Sequence, residues 1–153
     1  NRLGLTEDQA DAGIAARRSK YKVQAAWQDG IVRKAQKSLK VRSLSGRPIW
    51  INPYLAHDGW KRGALNGPVQ GSAADHTKMA LVNFHQMCEN DGIPFRANII
   101  VHDEMAVDAS PGLVVKYRNI VRDAWHEAGK YVAPNVELPI EIATGYNWGC
   151  KNE

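Results

Sequence analysis

Apolar and polar positions change rhythm several times along this chain, and each rhythm predicts an element. Thr6, Glu7, Asp8 and Gln9 make a capping-box signature with Thr6 as N-cap, opening a helix that runs to about residue 20. Past a break near residues 19–21, Val23, Ala26, Trp27 and Ile31 recur at spacings of three and four. That spacing predicts a second helix over roughly 22–39 with those four on its buried face, and Arg33, Lys34, Lys37 and Lys40 on the other. Residues 41–51 alternate instead, and Ser45-Gly46 between the two halves predicts a β-hairpin. Residues 52–60 read as a loop. A long helix is expected over about 69–89, with room for an earlier start and a kink at Pro68, closed by Asn90-Asp91-Gly92. Residues 95–101 read as an apolar strand and 105–108 as its returning partner. Pro111 opens a helix to about residue 130, and 138–144 reads as a last strand before a short tail.

The order is ααββαββαβ, with no internal repeat and no linker. It predicts an α+β fold in which an antiparallel sheet with a central hairpin packs against long helices. With 153 residues, 44% of them hydrophobic, one core is feasible and a second is not expected, so residues 1–153 are read as a single folding unit. No apolar run is long enough for a membrane span, and the polar, acidic start predicts no signal peptide. Cys88 and Cys150 are too few and too far apart for a disulfide framework or metal knuckle, so both are expected to be reduced thiols. His57, His76, His85 and His126 are scattered without ligand spacing and are expected on the surface or in helix packing. Trp27, Trp50, Trp125 and Trp148 are expected in the core, while Trp60, beside Lys61 and Arg62, is the tryptophan best placed to meet a partner.

The net charge of +4 conceals an asymmetry. Residues 1–62 hold 13 Lys/Arg against 5 Asp/Glu, whereas residues 63–153 hold 7 against 11. The basic first part suits a polyanion, and the acidic second part suits a cation or a solvated surface.

Two segments carry candidate chemistry. In Ile99-Ile100-Val101-His102-Asp103-Glu104-Met105-Ala106-Val107, adjacent carboxylates interrupt an apolar hairpin. Such charges are either the polar tip of a turn or oxygen ligands for a hard cation such as Mg²⁺, which keeps several waters. In Arg62-x-x-x-Asn66-x-x-x-Gln70, donors stand four apart at helical spacing, followed by the small residues Gly71-Ser72-Ala73-Ala74. This is either a polar helix start or a set of donors for minor-groove acceptors.

Together these segments resemble something specific. Asn66-Gly67-Pro68-Val69-Gln70-Gly71-Ser72-Ala73-Ala74-Asp75, continuing to Lys78, is similar to the long palm helix of the family A (DNA polymerase I-like) DNA polymerases, with its pattern N-x-P-x-Q-G-[ST]-A-A-D-x-x-K. Val101-His102-Asp103-Glu104 resembles that family's motif C. Leu44-Ser45-Gly46-Arg47 resembles its L-x-G-R hairpin, and Leu138-Pro139-Ile140 with Gly145-Tyr146-Asn147-Trp148 its closing segments. The resemblance implies a basic helical segment over residues 1–40 following the fingers, and the C-terminal palm portion over 41–153.

It also implies roles. Asp103 is expected to ligate catalytic Mg²⁺, Glu104 to assist at the metal, and His102 to lie near the primer terminus. Arg62, Asn66 and Gln70 fall at the family's spacing for duplex contacts, and Arg47 faces the DNA backbone. The implied reaction is template-directed nucleotidyl transfer to a primer 3′-hydroxyl with two Mg²⁺ ions, in a bacterial cytoplasm or a phage-infected host. The partners implied are primer–template DNA and a dNTP. The family's D-Y-S-x-x-E segment and fingers helix do not occur here. The first metal-ligand aspartate and the nucleotide-binding fingers are therefore expected from another chain or a preceding part, and this chain alone is expected to be inactive. Two other readings remain open: a primer–template duplex-binding module without chemistry, and a metal-dependent phosphodiesterase built on Asp103 and Glu104.

Overall fold

The computed structural model describes residues 4, 6–55 and 59–149; His57 and Cys150 lie outside them. The chain divides into two compact units, Asn1–Val41 with Pro48–Gly67, and Arg42–Arg47 with Pro68–Glu153.

In the first unit, α1 (Glu7–Lys20) begins as the capping box requires. Gln9 donates its backbone N–H to the Thr6 hydroxyl at 3.3 Å, and Thr6 N–H donates to the Gln9 side chain at 2.9 Å. None of its residues is buried. It meets α2 (Lys22–Ser38) through polar contacts, Arg18 to Asp29 at 2.7 Å and Arg17 to Gln24 at 3.0 Å. The buried face of α2 differs from expectation: Ala25 and Ala35 are buried and Ile31 is partly so, whereas Val23 and Trp27 are exposed. Small alanines permit close packing, and the larger side chains are left outside it. Leu39 ends α2 in the left-handed conformation (φ +51°).

The strands β1 (Lys40–Arg42) and β2 (Pro48–Trp50) form the first antiparallel hairpin, with Gly46 at φ +88° in its turn. Val41, Ile49 and Ile51 pack with Ile31 and Ala35 of α2 and with Trp60 and Ala64. Gly67 fits against this cluster because it has no side chain: a Cβ there would stand 2.9 Å from Val41 Cγ2. Trp60 is thus partly buried in the cluster, while Trp50 is exposed rather than in the core.

Helix α3 (Gly59–Asn90) takes the earlier start that the sequence left open and contains Pro68. Proline removes one ladder bond, yet Pro68 is buried and the helix continues through it, with Ser72 Oγ donating to its carbonyl at 2.6 Å. The helix closes at Asn90-Asp91-Gly92 as expected, with Gly92 at φ +64° donating to Glu89 O and Ile93 N–H donating to Cys88 O.

The core of the second unit lies between α3, α4 (Val114–Val132) and the β3–β4 hairpin (Ala97–Val101 and Glu104–Val107). Phe84 and Cys88 meet Tyr117, Ile120 and Ala124, with Met105 and Val107 against them; Ala80, Trp125 and Ala128 form an adjoining cluster. Burial, then the charge of Asp91, pushes the Cys88 thiol up, in keeping with a packing role. His76 accepts a structural role too, with its Nε2 3.0 Å from Trp125 O. The hairpin is antiparallel, pairing Ile100 with Met105 and Val101 with Glu104, with an irregularity between Ala97 and Ile99.

The α+β class and the order of elements follow the sequence pattern. At the end of that order, Leu138, Ile140 and Ile142 are partly buried and their neighbours exposed, the alternation of a strand, but no ladder pairs residues 138–144 among those described. Ile140 packs on the Trp125 cluster, so this alternation is satisfied by helix contact, and Pro139 has no N–H to give a ladder. Among the described residues no helix is long and apolar enough to cross a membrane.

Candidate functional site

The second hairpin turns through two residues, His102 and Asp103. His102 has φ +55° and Asp103 has no positive φ, so the sign pattern is that of a type II′ turn, whose first position ordinarily takes glycine. The turn leaves the Asp103 carboxylate exposed at the tip. Glu104, the first residue of β4, is partly buried, and its Oε1 accepts the indole N–H of Trp148 at 2.7 Å. Trp148 is therefore not a core residue: it is 48% exposed and brings the tail to the carboxylates. Its place in the G-x-N-W segment was the signal available in the sequence, but that pattern names no contact.

His102, Asp103 and Glu104 are thus adjacent on one turn. As a donor set they suit a hard cation, since Mg²⁺ is bound by one or two carboxylates and otherwise by water and phosphate oxygens. They do not make a closed site: among the described residues no group of three or more His, Cys, Asp or Glu side chains is placed to hold a metal.

Arg62, Asn66 and Gln70 all lie on α3 and all are exposed. Arg62 and Asn66 belong to the first unit and Gln70 to the second. Arg47 is at the tip of the first hairpin, where its Nε donates to Asp75 Oδ1 at 2.6 Å and its Nη2 to Gly71 O at 3.1 Å. Burial alone would raise the Asp75 carboxyl, but hydrogen bonds from Ser43, Ser45 and Arg47 and the Arg47 charge together bring it below its ordinary value. Asp75 is the residue that sequence reasoning passed over, although it stands in the palm-helix segment.

The chain is similar to several known proteins. The chain is 34% identical over 88 residues to DNA polymerase I of Chloroflexus aurantiacus, covering 58% of this chain and 9% of that protein. It is 30% identical over 122 residues to DNA polymerase I of Mycobacterium bovis, covering 76% of this chain and 13% of that one. Against DNA polymerase I of Pseudomonas aeruginosa the match is 26% over 151 residues, covering 95% and 16%. The chain thus spans a small part of these relatives' length. Among solved structures it is similar to the POL domain of Pol1 from M. smegmatis in complex with DNA primer-template and dNTP, with a TM-score of 0.73 and 26% identity, covering 83% of this chain and 23% of that chain. The family model described as DNA polymerase family A matches residues 1–150. With its palm-helix segment and carboxylate hairpin in family order, the chain belongs to DNA polymerase family A.

Proposed function

We propose that the chain supplies the motif C half of a DNA polymerase centre, carried above all by the exposed Asp103 carboxylate beside Glu104 on a two-residue turn. Asp103 and Glu104 are the residues to hold Mg²⁺, which when bound activates the primer 3′-hydroxyl and offsets charge developing on the leaving pyrophosphate. Glu104 is oriented by the Trp148 indole, and His102 stands at the same turn, beside the primer terminus in this reading. Arg62, Asn66 and Gln70 present donors to purine N3 and pyrimidine O2, acceptors shared by all correct pairs, so they sense pair geometry rather than sequence. The outer edge of Arg47, whose side chain is 44% exposed, is the part left to approach a DNA backbone.

The first metal-ligand aspartate and the nucleotide-binding fingers come, in this reading, from outside residues 1–153. Two Mg²⁺ ions would be held by Asp103 and Glu104 together with that aspartate, with primer–template DNA and a dNTP as partners, in the cytoplasm of a bacterial cell or a phage-infected host. The test is primer extension by this chain alone and by the chain with the complementing polymerase part, each beside Asp103→Ala. Extension is expected from the complemented chain only, and is expected to vanish in Asp103→Ala without loss of fold. Retained synthesis in that variant sinks the assignment.

A second reading, a duplex-binding module without chemistry, draws on the basic first part and on the exposed Arg62, Asn66 and Gln70. It is favoured if DNA binding is indifferent to both Mg²⁺ and Asp103.

A further inference from the structure

The tip of the first hairpin, Arg42–Arg47, belongs to the same compact unit as α3 from Pro68 onward. Its contacts fall on three residues of that helix, Gly71, Ser72 and Asp75. Leu44 N–H donates to Ser72 Oγ at 2.8 Å, and Ser72 Oγ passes its own proton to Pro68 O at 2.6 Å. Arg47 reaches Gly71 O and Asp75, and Ser45 Oγ donates to the other Asp75 oxygen. Ser43 completes the set, 2.9 Å from Ser45 Oγ and accepting Arg47 N–H at 3.1 Å. Positions 68, 71, 72 and 75 share one helix face. The contacts lie in the two turns that follow Pro68 and tie that stretch of the helix to the hairpin tip. Gln70 lies between them in sequence and is exposed.

From this we infer that Arg47 and Asp75 are positioning residues: their ion pair seats the hairpin tip on α3 and fixes where Gln70 stands, so that Arg47 acts on the duplex through Gln70 more than by gripping it. The inference rests on the reading of Gln70 as a duplex donor. Charge supports it: with Asp75 at 2.6 Å, the Arg47 cation is already compensated and offers a phosphate little net attraction. Asp75, with its side chain only 11% exposed, has no other evident call on it.

The test uses the active polymerase that contains this chain, with Arg47→Gln, Asp75→Asn and Gln70→Ala made singly and with each of the first two added to the third. Steady-state extension from matched primer termini gives kcat and the KM for primer–template, and thermal unfolding checks the fold. Arg47→Gln and Asp75→Asn are expected to lower kcat alike, by roughly tenfold, as a small misplacement of a contacting group does, with a smaller change in KM. In the Gln70→Ala background that loss is expected to disappear. Additive losses overturn the inference, as does Asp75→Asn holding DNA normally or more tightly while Arg47→Gln loosens it, which makes Arg47 a phosphate contact. Ser45→Ala leaves the ion pair in place and is expected to show a smaller loss of kcat in the same direction; no change there also counts against the clamp. If Gln70→Ala itself has no effect, the duplex reading fails and the inference fails with it.

Discussion

At the scale of single residues, His102 occupies a backbone conformation that L side chains adopt at a penalty of about 1–2 kcal/mol. Replacing it with glycine relieves that penalty while adding freedom to the unfolded chain worth about 0.5–1 kcal/mol, so the relief is the larger effect. His102→Gly is therefore expected to leave the urea midpoint unlowered or slightly raised while lowering extension by the complemented polymerase at least tenfold; unimpaired extension would show that the histidine serves only the turn. Trp148 offers the complementary case, because its indole N–H fixes one oxygen of Glu104 from an exposed position. Outer partners of metal-binding groups are worth about 10–100-fold in affinity or activity. Trp148→Phe is expected to raise the Mg²⁺ concentration needed for half-maximal extension by about tenfold with little change in melting temperature. An unchanged Mg²⁺ titration would make the contact incidental.

At the scale of elements, what could be read from the chain was what local chemistry decides. The Thr6–Gln9 capping box, the Gly46 turn and the Asn90-Asp91-Gly92 close need only neighbouring residues, and all three are present. What escaped needed a distant partner. Pro68 left the start of α3 open between a first turn at residue 69 and an earlier one, and only the packing of the residues before it, such as Ala64 and Gly67 against Val41 and Ile49, decides for the earlier. Of the stripe Val23, Ala26, Trp27, Ile31 only Ile31 reaches the packed cluster, since periodicity does not reveal which side of the helix the distant partner takes. The candidate site divides likewise: the carboxylates of Asp103 and Glu104 stood out as charges in an apolar hairpin, whereas the Glu104–Trp148 and Arg47–Asp75 contacts join positions far apart in sequence. Gly67 tests the close packing directly. Gly67→Ala puts a methyl within 2.9 Å of Val41, and overpacking of this kind destabilises by about 1–3 kcal/mol. A lower urea midpoint is the expected result, and an unchanged or higher one would show that Val41 yields without strain.

At the scale of the whole molecule, both sheets among the described residues have two strands, and two-stranded sheets are marginal unless something packs on them. One side of the second hairpin is covered by α3 and α4, but Ile99, Ile100 and Val101 are each about 40% exposed on β3. In a chain that spans a small part of its relatives, such a surface is expected to associate with other copies or with the complementing polymerase part. Sedimentation of the isolated chain is expected to show concentration-dependent association that Ile100→Lys reduces; a monodisperse monomer at all concentrations would contradict this.

The polar attachment of α1 has a kinetic meaning. A 14-residue helix is marginal in water by itself, and this one contributes no buried side chain to hold it in place. Its amide hydrogens are therefore governed by its own capping box and by the Arg18–Asp29 pair, not by the opening of either core. The first helix is expected to fray and re-form many times during the life of one folded molecule, and salt, by screening that pair, to make the fraying somewhat more frequent.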